Sequence, residues 1–159
     1  MRLTLEKLFY RLLEEATFFG GSFFFLFLAA FMLFTGDILL SLRLAALYIL
    51  SFGLTVAIRT FYFRERPKKE SYRNFFEKLD SSSFPSLHSM RVSGIFLLFH
   101  SYYGNLFIST LFLGVAFAVF SSRYYLKKHY ISDILAGAVL GLMMGYFVAG
   151  IGIFSFSLL

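Results

Sequence analysis

The stretch that decides the fold is HYISDILAGAVLGLMMGYFVAGIGIFSF, residues 129–156. Beyond Asp133 it contains no charged residue, and it exceeds the roughly 20 apolar residues that a helix needs to cross a bilayer. Gly137, Gly141 and Gly145 recur every four residues, and small residues at that spacing let membrane helices pack closely. Asp133 begins the same series, so we expect its carboxylate to face the packed interior of a helical bundle.

Composition places the whole chain in the same class. Of its 159 residues, 58% are hydrophobic and 21% are aromatic, which is too apolar for an ordinary soluble domain. The net charge of +6 would suggest nucleic acid binding in a soluble protein, but the hydrophobicity argues against nucleic acid and favours anionic lipid or phosphate. The absence of cysteine excludes disulfides and thiolate metal sites. We predict a single membrane-embedded domain over residues 1–159, with no obligate protein partner evident.

Hydrophobic runs and turn signals outside residues 129–156 predict an all-α integral-membrane helical bundle of about five transmembrane helices. Gly36 with Asp37, and Gly104 with Asn105, form the tight turns between consecutive runs. The predicted spans are residues 17–35, 38–58, 85–103, 106–121 and 129–156. Apolar residues at helical spacing also predict two amphipathic helices in the membrane interface, over residues 2–16 and 72–79.

The polar residues of this apolar chain concentrate in three short segments, which are residues 59–67, 85–88 and 122–133. These segments hold both prolines, two of the three histidines and the only acidic residue after Asp80. With five spans, all three segments lie at the same end of the bundle and can converge. Ionisable groups at membrane depth are costly, so their default interpretation is functional.

The cationic residues of these segments are suited to a phosphoryl group. Arg59 and Arg66 are seven residues apart, so a continuous helix would place both on one face, and Arg123 adds a third guanidinium. Ser86 offers a hydroxyl at the predicted start of a helix, where backbone N–H groups form an anion site. A phosphoryl group needs such cations and N–H donors around its oxygens. We therefore predict a phosphate site.

Two histidines add the chemistry of group transfer. His129 and Asp133 are four residues apart, so on a helix they can touch, and a carboxylate would leave one imidazole nitrogen free to attack. His88 supplies a second imidazole, and the pair suits a nucleophile and a general acid. Taken alone, the His129–Asp133 pair could equally be structural, and the arginines could be membrane-edge residues. Their combination in this order favours catalysis.

The three segments resemble the signature of the type 2 phosphatidic acid phosphatase superfamily. The first family motif is Lys, six residues, Arg and Pro, which residues 59–67 match except at Arg59. The second is Pro-Ser-Gly-His, which residues 85–88 match except at Leu87. The third is Ser-Arg, five residues, His, three residues and Asp, which residues 122–133 match completely. The resemblance implies the helical bundle and a lipid phosphatase activity.

The resemblance also implies a role for each residue. His129 would be the nucleophile that forms a phosphohistidine, Asp133 would orient it, and His88 would protonate the leaving group. The phosphate would be held by Arg59, Arg66, Ser86, Arg123 and the backbone amides of Leu87 and His88. The family needs no metal or other cofactor. Arg91, one turn past His88, could contact the lipid head group or pair with an acid, and the sequence does not decide between these.

Three departures from the family pattern bear on the site. Arg59 keeps the positive charge of the usual lysine, but its planar guanidinium group places its N–H donors in a different geometry. Leu87 replaces a glycine, and we expect it to adopt a helical conformation that costs no strain. The chain has one predicted span fewer than the family's usual six, and the amphipathic helix over residues 2–16 could replace part of the missing one.

The expected function is hydrolysis of a phosphate monoester or pyrophosphate on a lipid that enters from the bilayer. We favour lipid A 1-phosphate among candidates that include undecaprenyl pyrophosphate, phosphatidylglycerol phosphate and phosphatidic acid. A lipid phosphotransferase and a non-catalytic binder of anionic lipid or transporter remain alternatives. A vanadium-dependent haloperoxidase shares such a pocket, but those proteins are soluble and this chain is not.

Two arguments predict opposite sides of the membrane for the three polar segments. All of the 15 Lys and Arg residues except Arg43 fall on the side of the three segments, so the positive-inside rule places that side in the cytoplasm. The resemblance to bacterial envelope phosphatases places it in the periplasm. We adopt the second expectation, for a multi-pass protein of the inner membrane.

Overall fold

The computed structural model describes residues 2–150, and this part of the chain consists of helices without strands. The helices are α1 Arg2–Phe18, α2 Ser22–Phe34, α3 Ile38–Phe61, α4 Phe75–Ser81, α5 Leu87–Tyr103, α6 Leu106–Tyr125 and α7 Ile131–Gly150. The predicted all-α class is therefore confirmed. The predicted fifth span extends to residue 156, and residues 151–156 lie outside the described part of the chain.

Three of the described helices, α3, α6 and α7, are long and apolar enough to cross a membrane. A fourth span results if α1 and α2, which meet at a bend of 49°, together form one broken span. Large apolar side chains such as Phe23, Phe34, Phe107 and Tyr146 are exposed on the outside of the bundle, where lipid would cover them. The count of three or four differs from the predicted five.

Helices α2 and α5 account for the difference, since α2 has only 13 residues and α5 is short and polar. Helix α5 has 17 residues and is polar for a span, with Arg91, Ser89 and Ser93 all buried. It packs against α6, α7 and α3, so these side chains meet protein rather than lipid. Helix α5 is therefore shorter and more polar than a helix that faces lipid along its whole length.

The predicted glycine face of α7 is confirmed as the contact with α5. A Cβ added at Gly137 would lie 2.4 Å from the Ser86 carbonyl oxygen, and one at Gly141 would lie 2.0 Å from the Met90 carbonyl oxygen. At Gly145 the corresponding distance to the Gly94 carbonyl oxygen is 2.8 Å. The partners advance along both helices together, so α5 and α7 run parallel and both begin at the same end of the bundle.

The N-terminal region differs from the predicted boundaries. The helix break falls at residues 19–21, inside the predicted span 17–35, and α1 is docked on α6 rather than lying alone in the interface. The hydroxyls of Thr17 and Ser122 are 3.0 Å apart. Helix α2 then packs antiparallel to α3, with the Ser41 hydroxyl donating to the Ala29 carbonyl at 2.8 Å.

The long polar connection after α3 contains the second predicted amphipathic helix, in a shorter form. Helix α4 begins at Phe75 instead of residue 72, because Asn74 caps it by accepting a hydrogen bond from the Glu77 N–H at 2.8 Å. Phe75 and Phe76 are exposed, whereas Leu79 is buried toward the bundle. The predicted amphipathic character is thus confirmed.

Candidate active site

The three polar segments meet at one end of the bundle, as predicted. They are tied together by backbone hydrogen bonds as well as by side chains. Three such bonds join the Ser83 N–H to the Arg64 carbonyl (2.8 Å), the Lys68 N–H to the Lys127 carbonyl (3.0 Å) and the Ser86 N–H to the Asp133 carbonyl (3.1 Å). The positions of the site residues are therefore set by main-chain contacts between segments far apart in sequence.

Arg59 lies on α3, but that helix ends at Phe61, so Arg66 lies beyond it and the predicted continuous helix does not form. Both arginines are buried and bind the backbone between Leu79 and Pro85. Arg59 donates through Nη1 to the Leu79 carbonyl and through Nη2 to the Pro85 carbonyl, each at 3.0 Å. Arg66 donates to the Asp80 carbonyl. Both guanidinium groups therefore fix the backbone that leads into the start of α5.

The same guanidinium groups, together with Arg123, retain unused donors. Among residues 2–150, no partner accepts a hydrogen bond from Nε of Arg59, Arg66 or Arg123, although all three atoms are buried. Leaving a buried donor unpaired costs about 1–3 kcal/mol, more for a charged group, so each such atom needs an explanation. An anion bound among the three arginines would supply the missing acceptors.

His129 lies beside this arginine cluster and is only 2% exposed. Its Nδ1 is 2.6 Å from the Ser83 carbonyl oxygen, which can only accept, so Nδ1 carries the proton and Nε2 keeps its lone pair. Burial, followed by the charges of Arg123 and Arg66, lowers the pKa of His129 well below that of a free imidazole. His129 is therefore a neutral imidazole at physiological pH, in the tautomer that a nucleophile at Nε2 requires.

The contact between His129 and Asp133 is looser than the sequence predicts. Their closest atoms, Nδ1 and Oδ2, are 4.0 Å apart, which is beyond hydrogen-bond distance. Helix α7 begins at Ile131, so His129 precedes the helix and the expected i, i+4 geometry does not form. The hydrogen bond to the Ser83 carbonyl takes the place that the sequence assigns to Asp133.

Asp133 is fully buried and has two other partners. Its Oδ1 accepts a hydrogen bond from Arg64 Nη1 at 2.6 Å, and its Oδ2 accepts from the Tyr130 N–H at 2.9 Å. The Arg64 guanidinium also lies 4.3 Å from the centre of the Tyr130 ring. The sequence analysis missed Arg64, although a lone buried carboxylate requires a cationic partner.

The start of α5 confirms the expectation for Leu87. Ser86 is the N-cap and Leu87 is the first helical residue, with no positive φ, so the missing glycine causes no strain. The buried Ser86 hydroxyl accepts from the Ser89 N–H at 3.4 Å and lies 2.9 Å from the Ser89 hydroxyl. The N–H groups of Leu87 and His88 belong to the first helical turn, which has no intrahelical acceptors.

Arg91 lies inside the bundle and is 2% exposed. Its Nη1 donates to the Ser22 hydroxyl at 3.0 Å, and its guanidinium lies 4.5 Å from the centre of the Tyr48 ring. A lipid head group would have to enter the bundle to reach it, so the head-group contact stays a prediction. His100 lies at the far end of α5, with Nδ1 2.8 Å from the Ser109 hydroxyl.

Comparison with known proteins decides the family. The sequence model described as the PAP2 superfamily matches residues 40–152, which include all three segments. The chain belongs to the PAP2 superfamily. No curated protein sequence matches significantly.

Two solved structures share the PAP2 fold with this chain. One is described as the first transmembrane PAP2-type phosphatidylglycerolphosphate phosphatase from Bacillus subtilis, with a TM-score of 0.73 and 24% identity over 90% of this chain and 76% of the other. The other is LpxE from Aquifex aeolicus, with a TM-score of 0.72 and 22% identity over 89% of this chain and 85% of the other. At these identities the similarity establishes the common fold.

Glu70 is a second site residue that the sequence analysis missed in this PAP2 chain. Its carboxylate pairs with Arg66 and with Lys128, whose Nζ lies 2.5 Å from Oε1. Burial raises the pKa of Glu70, but the hydrogen bond to Lys128 and the charges of Arg66 and Arg123 lower it more, so the group stays ionised. The Glu70 carboxylate therefore neutralises part of the positive charge of the arginine cluster. Glu70 lies four residues after Arg66, and this opposite-charge spacing is the local signal that could have found it, whereas only the fold brings Lys128 to it.

Of the cavities that adjoin the PAP2 site, one reaches His129 and another reaches Arg59. The larger, of about 820 Å³, has His129, Arg64 and Lys127 in its lining together with the rings of Tyr10, Tyr124, Tyr125 and Tyr130. The smaller, of about 230 Å³, reaches Arg59 and Leu87 between α3 and α4. Within residues 2–150, no group of three or more His, Asp or Glu side chains is arranged to hold a metal ion.

Proposed function

We propose that this PAP2 protein hydrolyses a phosphate monoester or pyrophosphate on a membrane lipid through a phosphohistidine intermediate. The observation that carries the proposal is the neutral His129 beside three buried arginines whose Nε donors lack partners. A phosphate dianion satisfies those donors and neutralises the accumulated positive charge. The Nε of Arg91, which lies outside the cluster, also lacks a partner, so the indication of an anion site is the convergence of three such guanidinium groups beside His129.

In the first step, the arginines and the N–H groups of Leu87 and His88 bind the phosphate oxygens. His129 Nε2 attacks phosphorus while the bond from phosphorus to the leaving oxygen breaks. His88, protonated beside the negative charge of the bound phosphate, gives its proton to that oxygen, so the lipid leaves as an alcohol, or as a phosphate when the substrate is a pyrophosphate. The Ser83 carbonyl holds Nδ1–H and stabilises the imidazole as positive charge develops.

In the second step, a water molecule attacks phosphorus from the side vacated by the leaving group. His88, now neutral, accepts the proton of the water, and the bond between phosphorus and Nε2 breaks. Inorganic phosphate leaves, and His129 returns to its neutral form. Arginine cations supply the charge stabilisation in both steps, so we propose that the reaction requires no metal.

The position of the site supports a lipid substrate. It is at one end of a bundle whose exterior is covered by exposed apolar side chains, which suits a substrate that stays in the bilayer. The similar Bacillus subtilis structure is a phosphatidylglycerolphosphate phosphatase, which supports a phosphorylated lipid. Among such lipids we propose lipid A 1-phosphate, with undecaprenyl pyrophosphate, phosphatidylglycerol phosphate and phosphatidic acid as the alternatives.

The proposed location is the periplasmic face of an inner membrane. Helix α7 runs away from the site, so a reporter fused after Leu159 should lie on the opposite face from the catalytic histidines. Activity of a reporter that works only in the cytoplasm supports a periplasmic site. Activity of a reporter that works only in the periplasm contradicts it.

The test is phosphate release from a panel of these lipids in detergent with excess chelator. We expect release by the wild type and by His100→Ala, whose histidine lies far from the site, but none by His129→Ala. Release by His129→Ala would refute the proposed nucleophile. Transfer of phosphate to an added lipid acceptor, with no free phosphate, would favour a phosphotransferase.

A further inference from the structure

The break between α1 and α2 lies directly against the candidate general acid. Gly20 is buried there, and a Cβ added to it would lie 2.8 Å from His88 Cβ and 2.9 Å from His88 Cδ2. The same Cβ would lie 3.1 Å from Val119 Cγ1. The backbone of Gly20 does not have a positive φ, so close approach, and not backbone conformation, is what requires glycine here.

The surrounding segment, residues 17–22, is anchored on the site from both sides, and we name it the N-terminal corner. At its start the Thr17 hydroxyl is 3.0 Å from that of Ser122, and at its end the Ser22 hydroxyl accepts a hydrogen bond from Arg91 at 3.0 Å. The Gly20 N–H donates to the Thr17 carbonyl at 3.1 Å. The corner therefore cannot move away from His88 without breaking these contacts.

We propose that Gly20 is a positioning residue that fixes the orientation of the His88 imidazole. The absence of a side chain lets the corner pack directly on Cβ and Cδ2 of His88, which removes side-chain conformations that would point the ring toward α1. The inference rests on the proposed function, in which His88 donates a proton to the leaving oxygen. Gly20 lies outside residues 40–152, so the family match does not assign it any role.

The test uses leaving groups of different basicity. An alkyl phosphate on a lipid needs a proton on its leaving oxygen, whereas an aryl phosphate such as p-nitrophenyl phosphate leaves readily as the anion. We expect Gly20→Ala to lower kcat for the alkyl phosphate by about 100-fold, because a displacement near 1 Å has an effect of that size. The burst of p-nitrophenolate that accompanies formation of the phosphohistidine should change little, whereas the later attack of water, which uses His88 as base, should slow with both substrates.

Matched variants distinguish a misplaced His88 imidazole from a general effect of adding a methyl group to a helix. Gly53→Ala and Gly114→Ala place the same methyl group on α3 and α6, where nothing lies within 4 Å, and should behave as wild type. Adding Val119→Ala to Gly20→Ala removes one crowding group, and this double variant should regain part of the alkyl phosphatase rate. It also serves as the test protein if Gly20→Ala does not fold.

The outcomes distinguish the inference from the proposed function. His88→Ala should lose the alkyl phosphatase activity but keep the burst of p-nitrophenolate from the aryl phosphate, and loss of that burst would refute the proposed role of His88. If His88→Ala gives this result but Gly20→Ala has the same rates as Gly53→Ala, then Gly20 does not position His88, and the proposed function stands. Loss of the p-nitrophenolate burst in Gly20→Ala would also contradict the inference.

Discussion

Replacing Arg64 by methionine removes the cationic partner of the fully buried Asp133 carboxylate. Breaking a buried ion pair costs about 3–5 kcal/mol, whereas an exposed pair contributes about 1 kcal/mol or less. The Arg64 side chain is 32% exposed, so water replaces part of the interaction and we expect a loss of about 1–3 kcal/mol. The free energy of unfolding of purified Arg64→Met should fall by that amount.

The same substitution should change the pH dependence of catalysis. Without Arg64, the Asp133 charge is uncompensated 4.0 Å from His129 Nδ1 and favours the protonated imidazole. Two unit charges at that distance interact by about 4 kcal/mol at an effective dielectric constant near 20, which sets an upper limit of about three pKa units. Solvent reaching the vacated space reduces this limit, and we expect the pKa of His129 to rise by about one unit.

Protonated His129 cannot attack phosphorus, so a higher pKa means that activity is lost at a higher pH. The assay is kcat/KM against pH, in which the acid limb of Arg64→Met should lie about one unit above that of the wild type. Arg73→Met removes an exposed arginine from the same connection and should leave the profile unchanged. An unshifted acid limb in Arg64→Met, with wild-type stability, would refute the reasoning.

Three further predictions follow from the site. Glu70→Gln removes the carboxylate that pairs with Arg66 and should tighten inhibition by vanadate. Glu65→Gln removes an exposed carboxylate paired with Lys69 and should leave this inhibition unchanged. Equal inhibition of both variants would contradict competition between Glu70 and the bound anion. Gly137→Ala, whose Cβ would clash with the Ser86 carbonyl, should lower stability by about 1–3 kcal/mol and reduce kcat, while the melting temperature and kcat of Gly114→Ala stay near wild type. Vanadate should raise the melting temperature of the wild type but not of Arg123→Met, and an equal rise in both would exclude Arg123 from the anion site.

The sequence predicted the bundle and the site segments because both depend on local patterns. Hydrophobic runs, the turn at Gly104 and Asn105, and the glycine face of α7 all specify helices and their contacts without knowledge of the fold. The motif spacing likewise predicted that residues 59–67, 85–88 and 122–133 would meet.

The features that the sequence did not predict depend on tertiary contacts. Gly20 was taken as part of an apolar span, because what requires glycine there is the approach of His88, a residue far along the chain. The partner of Asp133 was missed for the same reason, since Arg64 reaches it only in the folded site. The His129–Asp133 contact was overestimated because α7 begins two residues later than His129.

The central claim, a covalent intermediate on His129, is tested most directly by trapping the phosphorylated protein. Purified wild type is mixed with a lipid carrying radiolabelled phosphate in the presence of chelator, stopped in alkali and digested for mass spectrometry. We predict label that is stable in alkali, labile in acid and located on His129, with none in His129→Ala. Turnover of the lipid by the wild type without labelled histidine, or label retained by His129→Ala, would contradict the account.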